Sequence, residues 1–172
     1  HILDNHRPAF QCMAIGPGMG AGIPQQQVVA RLIAQDQWPM VIDADALNCL
    51  AELREVQRDF RCHAVVTPHP GEYARLAKNL GISADPVDPA KRQAAAAELA
   101  RRLGCVVVLK GQHTVISDGL NSFVNDTGNV ALATLETIRP EQETAETLRD
   151  RLFITGTTGL RHQFDACADR FV

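Results

Sequence analysis

Four loops in this chain hold the residue types that do chemistry. "GPGMGAG", Gly16 to Gly22, offers bare backbone whose N–H groups can approach a phosphate. "IDADALN" carries Asp43 and Asp45, carboxylates that could hold a metal directly or through water, or bind a ligand hydroxyl; equally, Asp45 could simply cap the following helix. "VVTPHPGEYARL" places His69 between Pro68 and Pro70. Proline fixes its own φ and pushes the preceding residue toward extended geometry, so His69 is held rigidly, with Glu72 one turn further on. "KGQHT", Lys110 to Thr114, combines a point charge, a glycine and a hydroxyl, a set that suits phosphate. It is not a P-loop, because no G-x-x-x-x-G-K-[ST] occurs.

Each loop follows a short apolar run that reads as a strand. Cys12 to Ile15, Met40 to Ile42, Ala64 to Val66 and Cys105 to Leu109 are the four runs. Helical patterns lie between them: Gln25 to Ala34 behind Pro24, about Ala46 to Val56, Glu72 to Leu80 closed by Gly81, and a helix capped by Asp88, opened by Pro89 and closed by Gly104. Continuous apolar strands imply burial on both sides, hence an α/β fold with a mostly parallel central sheet between helix layers. In such sheets ligands bind at the carboxyl ends of the strands, where all four loops fall. "TVISDGLNSFV" reads as a hairpin turning at Asp118-Gly119. "GPGMGA" also matches the dinucleotide fingerprint, but Pro24 starts the helix later than a Rossmann unit requires.

Bulk composition narrows the classes. The chain has 172 residues, 45% hydrophobic and 22% charged, with a formal net charge of -3. That suits one ordinary globular domain and provides no basic patch for nucleic acid. No apolar run reaches the roughly 18 residues of a membrane helix. The five cysteines include no C-x-x-C pair, which favours a reduced, cytoplasmic setting over a disulfide framework or zinc site. A homo-oligomer is the expected assembly. The chain opens at His1 rather than methionine, so a missing N-terminal portion is expected. Residues 1–134 read as the core and 135–172 as an atypical, charged segment with a degenerate C-terminal part.

"GPGMG", "VIDADALN", "VVTPHPGEYARL", "VVVLKGQHT" and "NDTGNVALAT" occur in an order that resembles the ADP/ATP-dependent NAD(P)H-hydrate dehydratases of the ribokinase-like superfamily. The resemblance covers about Met13 to Thr134. It implies a three-layer α/β/α fold and the repair of hydrated NADH and NADPH by phosphorylation and elimination, with ADP or ATP as co-substrate and Mg2+ across the phosphates. It places the hydrate against Gly18, Gly20 and His69, and the nucleotide phosphates against Lys110, Gly111, Gln112, His113 and Thr114. Asp43 and Glu72 complete the candidate substrate set; Asn129 and Gly159 complete the nucleotide set.

One departure stands out. In that family "ALAT" leads directly into G-[GS]-x-G-D, whose aspartate is the base. Here Leu135 and a charged stretch follow Thr134, and the partial echo "TGTTGL" ends in Leu160. Leucine cannot accept a proton, so the expectation is a binding-competent site with impaired turnover and no assigned catalytic residue. A ribokinase-like kinase acting on a small alcohol such as a vitamin precursor, and a non-catalytic nucleotide-binding module, remain the alternatives.

Overall fold

A computed structural model of the chain describes residues 11–126. Asn129, Gly159, Leu160 and the expected boundary after Thr134 lie outside the described residues. Eleven elements are described: β1 (Met13–Ile15), α1 (Ile23–Ile33), β2 (Met40–Ile42), α2 (Ala44–Glu52), α3 (Val56–Asp59), β3 (Ala64–Val66), α4 (Pro70–Leu80), α5 (Arg92–Leu103), β4 (Val106–Leu109), β5 (Thr114–Ser117) and β6 (Ser122–Asn125). The strands form one sheet in the order β1-β2-β3-β4-β5-β6. The first four are parallel, with Ile15 beside Ile42, Ile42 beside Val66 and Val66 beside Val107. β5 and β6 continue the sheet antiparallel.

Consecutive strands that neighbour one another, joined by right-handed crossovers, put their helices on one face. Side-chain bonds agree. Arg75 Nε donates to Asn48 Oδ1 at 2.8 Å, tying α4 to α2, and the Tyr73 hydroxyl donates to the Ala95 carbonyl at 3.2 Å, tying α4 to α5. Beneath these helices Met40, Ile42, Ala64, Val66, Val107, Leu109 and Val115 are buried. Val41, Val65, Val106 and Val108 point the other way and are only half-buried. Burial of these strands is therefore one-sided among the described residues, where apolar content alone argued for both sides.

The helices form for local reasons. Pro24 occupies the first turn of α1, where its missing N–H costs nothing. α2 buries Ala46, Leu47, Cys49 and Leu50, one stripe at helical spacing. α4 and α5 each end on a glycine in the left-handed region, Gly81 and Gly104, both with φ of 67°. α5 presents Ala95, Ala96, Leu99, Ala100 and Leu103 to the sheet. Its alanines allow close approach, and full burial of Leu99 adds about 1.5–3 kcal/mol.

Two local expectations are corrected, and one of two open alternatives is removed. The helix expected over Ala46 to Val56 breaks after Glu52 and resumes as α3, because Glu55 adopts a left-handed φ of 53°. The helix expected to open at Pro89 begins at Arg92. Asp88 instead closes a turn before it, its carboxylate accepting from the Ala90 N–H at 3.0 Å and pairing with Lys91 at 2.9 Å. Asp45 does not cap α2 either; its Oδ2 accepts from the Gly20 N–H at 2.9 Å. The hairpin forms, its turn running from Asp118 to Asn121 rather than at Asp118-Gly119 alone, with Asp118 Oδ1 accepting from the Leu120 and Asn121 N–H groups.

Candidate functional site

Gly16, Asp43, Thr67 and Lys110 are the first residues beyond β1, β2, β3 and β4. Parallel strands bring them to one edge, and backbone bonds join the tips there: Asp43 N–H to the Ile15 carbonyl (3.1 Å), Thr67 N–H to Ile42 (3.2 Å) and Lys110 N–H to Pro68 (2.9 Å). Ile42, Val66 and Leu109, the last residues of β2, β3 and β4, are buried against the helices. The period of two then sends the next side chains, Asp43, Thr67 and Lys110, to the opposite face together.

They meet there. Lys110 Nζ lies 2.8 Å from Asp43 Oδ1 and 3.9 Å from Glu72 Oε2. An ammonium has three donors, so these two carboxylates leave Lys110 capacity for a further acceptor. Burial alone would raise the Asp43 pKa. Hydrogen bonds from Lys110, Thr67 and the Ala44 N–H, with the Lys110 charge, outweigh it and leave that carboxyl below its ordinary value. Glu72 is buried, with its side chain only 6% exposed.

His69 and Glu72 form a reciprocal cap on α4. His69 Nδ1 accepts from the Gly71 N–H at 2.9 Å and the Glu72 N–H at 3.4 Å. Glu72 Oε2 accepts from the His69 N–H at 2.8 Å. This is the capping-box arrangement with histidine in place of serine or threonine. Nδ1 is thus committed to the helix, and Nε2 lies 3.5 Å from Glu72 Oε1 on a side chain half exposed to solvent. The rigidity expected from two prolines is reinforced by these bonds.

The glycine loop folds back over the start of α2. Gly16 has a φ of +130°, and a Cβ there would stand 1.7 Å from the Asp43 carbonyl oxygen. Gly18 (φ +73°) has nothing within 4 Å of its Cβ position, while Gly20 (φ +76°) is tied to Asp45. In the loop after β4, Gly111 has a φ of +135° and His113 one of +55°. The Thr114 hydroxyl donates to the Gly111 carbonyl at 2.9 Å. Gly111, Gln112 and His113 are exposed.

The structure thus brings Asp43, Glu72 and Lys110 together and sets His69 beside Glu72. Sequence reasoning included Gly16 in the glycine loop without singling it out, and missed Thr67 and Arg92 as site residues. Arg92 had no usable signal, although its buried guanidinium donates to the Leu109 and Lys110 carbonyls at 3.0 and 3.1 Å.

A mostly parallel sheet with a polar, glycine-rich edge defines this chain as a ribokinase-like α/β/α protein. The sequence model described as NAD(P)H-hydrate dehydratase matches residues 3–135, and the chain belongs to that family. Among its relatives, the bifunctional NAD(P)H-hydrate repair enzyme of Moorella thermoacetica is 42% identical over 124 residues, covering 71% of this chain and 22% of the relative. The ADP-dependent (S)-NAD(P)H-hydrate dehydratase of Neisseria meningitidis serogroup B is 37% identical over 133 residues, covering 74% of this chain and 43% of the relative. The crystal structure of the ADP/ATP-dependent NAD(P)H-hydrate dehydratase from Bacillus subtilis, co-crystallised with ATP/Mg2+ and soaked with CoA, superposes with a TM-score of 0.55 at 34% identity, over 72% of this chain and 42% of that one. The chain therefore spans less than half the length of these relatives.

Proposed function

We propose that this chain binds an adenine nucleotide and hydrated NADH or NADPH for nucleotide-dependent dehydration, the reaction for which its Neisseria meningitidis and Bacillus subtilis relatives are named. The observation that carries the reading is the cluster of Asp43, Glu72 and Lys110 at the strand tips, flanked by the glycine loop and the Lys110–Thr114 loop. The vitamin-precursor kinase reading has no comparable support, since the hydroxyethylthiazole kinase of Pyrococcus horikoshii is 16% identical and shares the fold alone.

The chemistry explains such a site. Hydroxide leaves poorly, its conjugate acid having a pKa of about 15.7. Phosphate leaves readily, its second pKa being about 6. Transfer of the terminal phosphoryl group breaks its P–O bond to the nucleotide and forms an O–P bond to the hydrate's hydroxyl oxygen, whose proton passes to a base or to water as the shortened nucleotide leaves. The C–O bond then breaks with its electron pair going to phosphate. A proton leaves the adjacent carbon, and the new double bond restores the dihydronicotinamide ring.

In this reading Lys110 and the Gly111 N–H hold the transferred charge, and Thr114 stiffens the loop through the Gly111 carbonyl. Asp43 and Glu72 are the hard oxygen ligands that would hold Mg2+, directly or through water. Both carboxylates already converge on one cationic group, the Lys110 ammonium, which in this reading would turn to the phosphates when the ion takes its place. Magnesium, when bound, neutralises charge across the phosphates. In this reading His69 and the loop around Gly18 and Gly20 serve the hydrate. A reduced, cytoplasmic setting belongs to this reading.

Leu160 stands where the family's aspartate is expected, and general base catalysis typically supplies about 10²–10⁴-fold. The full chain should therefore bind both ligands and turn over slowly. Calorimetry with ADP, ATP and hydrated NADH, beside an absorbance assay for NADH recovery with magnesium, tests this. Absence of binding to either ligand class would remove the reading. Rapid nucleotide-dependent recovery would show that another residue supplies the base.

A further inference from the structure

Arg92 is only 6% exposed. Its Nη1 donates to the Pro86 carbonyl at 2.6 Å, and its Nη2 to the Leu109 and Lys110 carbonyls at 3.0 and 3.1 Å. Its Nε is buried with no partner, and among the described residues no carboxylate neutralises it. Burying a guanidinium without a counter-charge is costly, and here the three carbonyl acceptors are what offset that cost.

The fork grips two successive peptide units at the tip of β4. In a planar trans peptide the carbonyl and the N–H point in opposite directions. Holding the Leu109 carbonyl turns the Lys110 N–H away from the guanidinium, and that N–H donates to Pro68 at 2.9 Å. Holding the Lys110 carbonyl turns the Gly111 N–H away in the same manner. Gly111 itself is exposed, and its Cβ position lies 3.2 and 3.4 Å from Nη2 and Nη1 of Arg92. The guanidinium therefore forms the floor of the loop.

We propose that Arg92 is the positioning residue of the phosphate-binding loop: it fixes the Lys110–Gly111 peptide with the Gly111 N–H directed outward, and sets a buried positive charge beneath the anion. The proposal rests on the reading of Lys110–Thr114 as that loop. Arg92 acts through the backbone and does not touch the nucleotide. A lysine at this position keeps the charge but cannot span the same carbonyls with a planar fork.

The test uses the full chain, its Arg92→Lys and Arg92→Gln variants, and Lys110→Ala. ADP affinity is measured by calorimetry, and the Gly111 amide is followed by ¹H–¹⁵N NMR during ADP addition. Thermal melts show that each variant is folded at the temperature used, and Arg92→Gln serves if Arg92→Lys does not fold. The expected result is ADP binding about tenfold weaker in the Arg92 variants, with loss of the downfield Gly111 shift that ADP produces in the unaltered chain. Affinity within twofold of the unaltered chain, or weaker binding with the full Gly111 shift retained, overturns the proposal. If the unaltered chain and Lys110→Ala are equally unresponsive to ADP, the phosphate-loop reading itself is wrong, and this inference falls with it.

Discussion

Lys110 Nζ and Asp43 Oδ1 stand 2.8 Å apart although 67 residues separate them in the chain. The pair crosses β3 and closes the tips of β2 and β4 over Thr67. Both side chains keep substantial solvent exposure, 41% and 32%, so their attraction adds little to stability, of the order of an ordinary surface pair. The pair matters more as placement of a cation.

Lys110→Ala should therefore leave the fold intact and weaken ADP or ATP binding. A charge-assisted contact to phosphate is typically worth about 1.5–3 kcal/mol. Calorimetry on variant and parent chain measures it; equal nucleotide affinity would show that Lys110 serves Asp43 and Glu72 alone.

The Asp43 carboxyl carries an acid-range signature. Its folded pKa lies below the ordinary value, held there by Lys110 and Thr67 against the opposing effect of burial. Such a group contributes stability at pH above its unfolded value of about 3.9, and that contribution is lost as pH falls through the lower folded value. Asp43→Asn should flatten the decline of stability below about pH 3.9 relative to the parent. Chemical denaturation at stepped pH reads this out. Parallel curves for the two proteins would remove Asp43 from the acid response.

His69 combines two roles that substitutions can separate. As the cap of α4 its loss to alanine should cost about 0.5–2 kcal/mol, more than a purely ligand-facing histidine would. Asparagine can cap but carries no imidazole. His69→Ala should thus lower Tm while His69→Asn largely preserves it, and both should weaken binding of hydrated cofactor. Unchanged ligand affinity in His69→Asn would confine His69 to the helix cap.

Gly16 and Gly18 lie two residues apart in one loop and should respond differently to alanine. At Gly16 the new methyl meets the Asp43 carbonyl oxygen at 1.7 Å, so the variant should lose roughly 3 kcal/mol or more. At Gly18 only the left-handed φ opposes it, at about 1–2 kcal/mol. Urea unfolding of the two variants compares them directly, and equal losses would contradict the packing described for Gly16.

Local sequence made much of this legible. Short apolar runs before Gly16, Asp43, Thr67 and Lys110 located the parallel strands, because a strand ends where polar or glycine residues interrupt its apolar run. Prolines and glycines placed α1 and the ends of α4 and α5. What stayed hidden depended on distant partners. Asp45 looks like a cap of α2, yet its carboxylate binds the Gly20 N–H, 25 residues earlier. Asp88 looks like the start of α5, yet the helix begins at Arg92, whose guanidinium reaches the end of β4. Valines on both faces of β4 suggested two covered sides, whereas the described helices cover one.

The strand order has a consequence for how the molecule assembles. Among the described residues each strand pairs only with strands next to it in the chain, so this part of the sheet can grow stepwise, with the β4–β5–β6 meander closing over the shortest loops. The Asp43–Lys110 contact requires β2, β3 and β4 to be docked already, which makes it a late event. Interactions absent from the folding transition state slow unfolding without hastening folding. What little stability the pair adds should then show, on its removal, as a small rise in the unfolding rate and hardly at all in the refolding rate.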